Sequence, residues 1–133
     1  FSEEAKTEMK SLTDAVAETL DKTLSCYETR ARSTALQVEP LEEVIDGLNM
    51  EIKRRHIRRL RKGKCTIELG LTLSDITTCY ERVADHCSNI AVYMMQLNDT
   101  GLEEHSFTEQ MDEKESAEFE KLENDFANKY EID

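Results

Sequence analysis

The sequence predicts an all-α protein: an antiparallel three-helix bundle with one additional C-terminal helix. Three observations predict it. Hydrophobic residues make up 38% and charged residues 35%, with four Gly, one Pro and no Trp, a mix that suits helices better than sheets. Apolar residues recur by threes and fours over three long stretches. The connections between these stretches are short, which places sequential helices antiparallel. A chain of 133 residues is long enough for one core of useful size.

The third stretch, Thr66 to Leu97, organises the others. Leu73, Ile76, Tyr80, Val83, Cys87, Ile90, Met94 and Leu97 form an unbroken seam, and the helix they predict is roughly 45 Å long. A rod of that length buries its seam only against partner helices. Glu81, Asp85 and Asn89 follow at i, i+4 spacing along one stripe, mostly away from the seam, where they face solvent or a partner. Thr66 is the expected N-cap.

Helix one is expected over Ser2 to Glu28, with Met9, Leu12, Val16, Leu20, Leu24 and Tyr27 as its stripe and Ser2 as its cap. The weakly patterned residues 29–33 form the turn. Helix two opens near Ser33 or Thr34 and bends at Pro40, because Val38, Leu41, Ile45, Leu48 and Ile52 keep one stripe going through the proline. It ends at Lys62, with Gly63 as the stop. The bundle thus occupies residues 1–98. Residues 99–133 form an acidic extension: a turn at Asp99 to Gly101, a capping box at Ser106 and Glu109, and a short helix marked by Phe119, Leu122, Phe126 and Tyr130.

Net charge is −12, which argues against nucleic acid as a partner. Eight of the 17 basic residues nevertheless fall in KRRHIRRLRKGK, Lys53 to Lys64, which contains no acid. That run either complements the C-terminal end of its own helix or docks anionic lipid headgroups or an acidic partner. No apolar run reaches the length of a membrane span, and Phe1 in place of Met reads as a piece of a longer protein. Cys26, Cys65, Cys79 and Cys87 form no C-x-x-C pair, so a zinc ribbon or redox motif is not expected. Reduced thiols in a cytosolic setting fit them best.

Two E-x-x-x-D pairs carry the chemistry: Glu42–Asp46 in helix two and Glu81–Asp85 in helix three. Carboxylates at i and i+4 stand about 6 Å apart on one face, a separation one hard cation bridges. If the helices bring both pairs together, four carboxylates converge, with Asn89 as a neutral ligand. The competing account is a solvated acidic face paired with arginines such as Arg82. The Glu-x-x-His pattern of di-iron bundles is missing at His56, His86 and His105. His56 reads as a helix-surface residue disfavoured from charging, His86 as a boundary residue. No nucleophile–base pair can be named, and an enzyme is not expected.

YERVADHCSNIA, Tyr80 to Ala91, resembles the third-helix signature of PhoU-type domains, and EEVIDGL, Glu42 to Leu48, resembles the second-helix signature. RRHIRRLRKGKC followed by Gly70 and Asp75 is similar to a narrower group, the PhoU-like regions that follow the membrane domain of bacterial sodium/phosphate cotransporters. The resemblance implies the second of two tandem three-helix repeats, on the cytoplasmic face of the membrane, regulating sodium-dependent phosphate transport. It implies as partners the transporter's own membrane domain and the first PhoU-like repeat, with a homodimer replacing the latter when the region is isolated. It implies iron or zinc clusters held through E-x-x-x-D motifs, here Glu42, Asp46, Glu81 and Asp85, and it makes Lys53 to Lys64 a face for lipid or cytoplasmic loops. Alternatives are a stand-alone phosphate-signalling regulator and a carboxylate-bridged metalloenzyme.

Overall fold

The computed structural model describes residues 1–98 and 113–132. Five helices appear among them: α1 (Glu3–Thr29), the single-turn α2 (Arg32–Ala35), α3 (Val38–Arg61), α4 (Ile67–Asn98) and α5 (Glu113–Lys129). The expected turn at Asp99 to Gly101, the capping box at Ser106 and Glu109, and His105 lie outside the described residues.

Local chemistry sets most boundaries. The Ser2 hydroxyl accepts from the Ala5 N–H at 3.1 Å, and the Thr66 hydroxyl accepts from the Leu69 N–H at 3.2 Å, so both expected caps are formed. Gly63 takes a φ of 71°, and the amides of Gly63 and Lys64 return to the carbonyls of Leu60 and Arg59. This pair of reversed bonds closes α3 in a Schellman turn. The end of α1 has no such signal: Arg30 adopts a left-handed φ of 57° and donates its amide to Cys26 O at 2.8 Å.

The chain between α1 and α3 departs from expectation. Instead of one helix bending at Pro40, α2 stops at Ala35 and α3 starts afresh at Val38. Pro40 then lies in the first turn of α3, where its missing N–H leaves no intrahelical bond unmade.

α1, α3 and α4 pack on one another pairwise. Leu12, Ala15, Val16, Leu41, Ile45, Ile52, Leu73 and Ala84 form the central core, and Cys26, Val38, Cys87, Ala91, Met94 and Met95 fill the end beside α2. The expected stripe of α1 is only half right. Leu20, Leu24 and Tyr27 are exposed, Leu24 by 57% and Tyr27 by 63%, while Thr19, Thr23 and Cys26 are buried in their place. Four-residue steps overshoot the turn of a helix, so Leu24 stands about 120° around the axis from Leu12. On α4, Ile90 and Leu97 of the expected seam are likewise exposed, beside Tyr93 at 60%.

Three clefts separate the three long helices, and each has its own content. α5 covers α1 and α3: Phe126 and Tyr130 join the core, the Tyr130 hydroxyl bonds Glu18, the Ser11 hydroxyl donates to Tyr130 O at 2.8 Å, and Arg55 donates to Ile132 O at 3.1 Å. The α3/α4 cleft carries acidic side chains. The α1/α4 cleft is an open apolar groove, with cavities of about 540 and 370 Å³ between Leu20, Leu24 and Tyr27 on one wall and Ile90, Tyr93 and Leu97 on the other.

Burial predicts the response to truncation. Ile45→Ala removes a wholly buried side chain and costs about 3 kcal/mol in denaturant titration. Leu24→Ala, on the open groove, changes stability by no more than about 0.5 kcal/mol in dilute protein.

Candidate functional site

Glu42 and Asp46 stand one turn apart on α3 and meet Asp85 of α4 across the cleft. One oxygen from each of the three carboxylates lies within 4.8 Å of the others. Glu42 is buried, whereas Asp46 and Asp85 are exposed. A second, overlapping group within the same limit comprises Glu39, Glu42 and Glu43, and the Ser88 hydroxyl of α4 donates to Glu39. Glu39 stands at i, i+3 from Glu42 on the same helix, a spacing outside the E-x-x-x-D pattern that singled out the other acids, and only its contact with Ser88 needed the structure.

Burial and mutual repulsion raise the proton affinity of Glu42, Asp46 and Glu39. Burial pushes Glu42 up to about 9, aided by its hydrogen bond to Asp46 and by the charges of Asp46 and Glu39. Burial also raises Asp46, opposed by the bond from Glu42 and supported by the charges of Asp85 and Glu81. Glu39 rises for the same reason despite the Ser88 hydroxyl.

Two of the expected ligands stand elsewhere. Glu81 is not in the trio; its carboxylate takes the Lys53 ammonium at 3.7 Å. Asn89 is exposed and lines the α1/α4 groove together with His86. The cause is helical twist: each i, i+4 step turns about 40° past a full circle, so a string of three fans out rather than stacking on one ion.

His56 is not a surface residue. Its imidazole is 7% exposed, and Nε2 lies 3.7 Å from the Cys65 Sγ. A Cβ on Gly70 would fall 2.6 Å from that Nε2, so a larger residue there would have to displace the ring. Burial, then the Arg59 guanidinium, keeps His56 below the usual imidazole range, in line with the expectation that it resists charging.

An all-helical bundle with acids in one cleft and an open apolar groove in another has the form of a docking or regulatory module. The PhoU domain family model matches residues 9–94, from Met9 on α1 to Met94 on α4, and the chain belongs to that family. PhoU domains are regulatory and phosphate-related. No curated protein and no solved structure matches the chain. None of the described helices is long and apolar enough to cross a membrane.

The raised Glu42 has a definite consequence for pH. Its proton is held more tightly in the folded state than in the unfolded chain, so its stabilising contribution is complete below about 4.5 and is lost as pH rises toward 9. Glu42→Gln stays neutral throughout. In the metal-free protein it exceeds the parent in stability near pH 8, and the gap closes toward about pH 5 in denaturant titrations.

Proposed function

We propose that the chain is the regulatory PhoU-like domain of a bacterial sodium-dependent phosphate transporter, held at the cytoplasmic face of the membrane and acting by contact rather than by catalysis. The observation that carries this reading is the uncovered α1/α4 groove in a chain of the PhoU family. Contiguous exposed apolar surface of this kind marks an interaction site. A first PhoU-like repeat fits it as occupant within the transporter, and a second copy of the chain fits it when the region is isolated. The membrane domain of the same protein is the further partner this reading requires.

The carboxylates of the α3/α4 cleft suit a hard cation. Glu42 and Asp46 from α3 with Asp85 from α4 would hold it, and loading would tie the two helices together while drawing off the Glu42 proton. Neither a His nor a Cys belongs to the group, and a donor set of carboxylate oxygens alone suits a hard ion, so ferric iron fits it better than the softer zinc. What such an ion supplies here is charge neutralisation and cross-linking of the bundle.

Phosphate uptake by the full-length transporter tests regulation. Deleting this region, or carrying Leu24→Glu with Tyr93→Glu, removes the difference in uptake between phosphate-starved and phosphate-replete cells. Uptake that responds as before in both variants sinks the reading. Elemental analysis of protein purified without chelator tests the cleft: Asp85→Ala loses the bound metal and keeps its helicity. Stoichiometric metal in that variant removes Asp85 from the site.

A further inference from the structure

The basic run Lys53 to Lys64 is used neither by the carboxylate cleft nor by the apolar groove. Helical twist scatters it around α3. Lys53 turns to Glu81, Arg54 pairs with Glu51 at 2.7 Å, and Arg55 and Arg59 turn inward to Glu8 of α1. Glu8 is 4% exposed and receives two bonds from Arg59, at 3.1 and 3.0 Å, and one from Arg55, at 3.2 Å. One buried carboxylate therefore anchors two guanidinium groups.

Arg58, Lys62 and Lys64 are left over. No described acidic group pairs with them, and all three line a concavity of about 660 Å³ between the end of α3 and the first turns of α1. Its walls hold five basic side chains against Glu3, Glu4 and Glu8. Glu8 is already spent on the two arginines, and Glu3 is engaged by Lys6 at 3.3 Å. Two positive charges remain uncompensated in a hollow of a chain whose net charge is −12. The helix dipoles do not decide the matter, because the N-terminal end of α1 and the C-terminal end of α3 meet there and offset each other.

We propose that this hollow binds a small phosphate-bearing dianion, with Arg58, Lys62 and Lys64 as its direct donors and the Glu8-anchored pair Arg55 and Arg59 as a fixed positive wall. A dianion matches the surplus of two charges, and charge-assisted bonds from guanidinium and ammonium groups suit phosphoryl oxygens. The shape speaks against a bilayer as the source of the phosphate. The cations share a hollow with Glu3 and Glu4, whose charges disfavour an anionic bilayer, and Arg54, Arg55 and Arg59, which would broaden a basic face, are already paired. None of the cleft carboxylates reaches this hollow, and its surplus charge is the same whether or not the chain belongs to a transporter.

Calorimetry on the whole chain at low ionic strength, with chelator present to exclude bridging cations, tests it with inorganic phosphate as probe. Saturable one-to-one binding is expected, weakened at least about tenfold by Arg58→Gln with Lys62→Gln. Arg61→Gln, an exposed cation outside the hollow, leaves it unchanged. Both substituted residues are exposed, and circular dichroism confirms that the fold is kept. Absence of saturable binding overturns the proposal, as does equal weakening by Arg61→Gln. Vesicles of phosphatidylcholine and phosphatidylglycerol form the second arm: binding to vesicles through Arg58 and Lys62 without binding of inorganic phosphate overturns it in favour of a lipid surface.

Discussion

Each long helix of the bundle can give only about a third of its circumference to a shared core, and that limit governs the rest of the molecule. Leu12, Leu41, Ile45, Ile52 and Leu73 occupy the shared third completely. Three clefts necessarily remain outside it, and their contents differ sharply. α5 closes the one between α1 and α3 with Phe126, Tyr130 and a set of polar ties to Glu18, Ser11 and Arg55. Acids converge in the second. The third stays apolar and open. A bundle that served only to fold would gain by making all three clefts alike, polar on the outside and sealed within.

The same limit explains which parts were legible in the sequence. Element type and order were, because a helical period repeated over 20 or more residues is hard to mistake. Caps were legible where side chain and glycine chemistry marks them, at Ser2, Thr66 and Gly63. The end of α1 was not, since Arg30 enters the left-handed region without the glycine that usually signals it. Nor was the break before Val38, where an apolar stripe runs on across a change of helix. The rotation of the stripes on α1 and α4 was also hidden. Leu24 and Ile90 read as core because they are apolar and correctly spaced, yet Thr19 and Thr23 are buried beside the one and Ala91 beside the other. Two threonines of α1 manage this by returning their hydroxyls to carbonyls one turn back, at 2.8 and 2.7 Å.

The acidic site divides in the same way. The pairs Glu42–Asp46 and Glu81–Asp85 are visible as strings, but a string cannot say which of its members reach the neighbouring helix. Tertiary contact selects Glu42, Asp46 and Asp85, recruits Glu39 through its neighbour Glu42, and leaves Glu81 to Lys53. Glu8 was missed for the converse reason. An isolated acid on an amphipathic helix reads as solvent-facing, and only the arrival of Arg55 and Arg59 from α3 makes its burial tolerable.

Charge is distributed along α3 with acids toward its start and bases toward its end, the order its macrodipole favours. That favour extends only over the terminal turns. It accounts for Glu39 and for Arg58 to Arg61, but not for Glu42 and Asp46 further in, nor for Lys53 to Arg55. Those inner groups need partners of their own. Arg54 has Glu51, Arg55 has Glu8 and Glu51, and Lys53 has Glu81. Among the described residues, Glu42 and Asp46 meet further carboxylates, and burial of Glu42 raises the cost of leaving them ionised together. α3 thus leaves like charges crowded at both ends, carboxylates around Glu42 and Asp46 and the cations Arg58 and Lys62 at its close, while its middle is paired by the protein itself. At the acidic end α4 adds Asp85 as a third carboxylate, and the proton that Glu42 retains lessens the repulsion among the three.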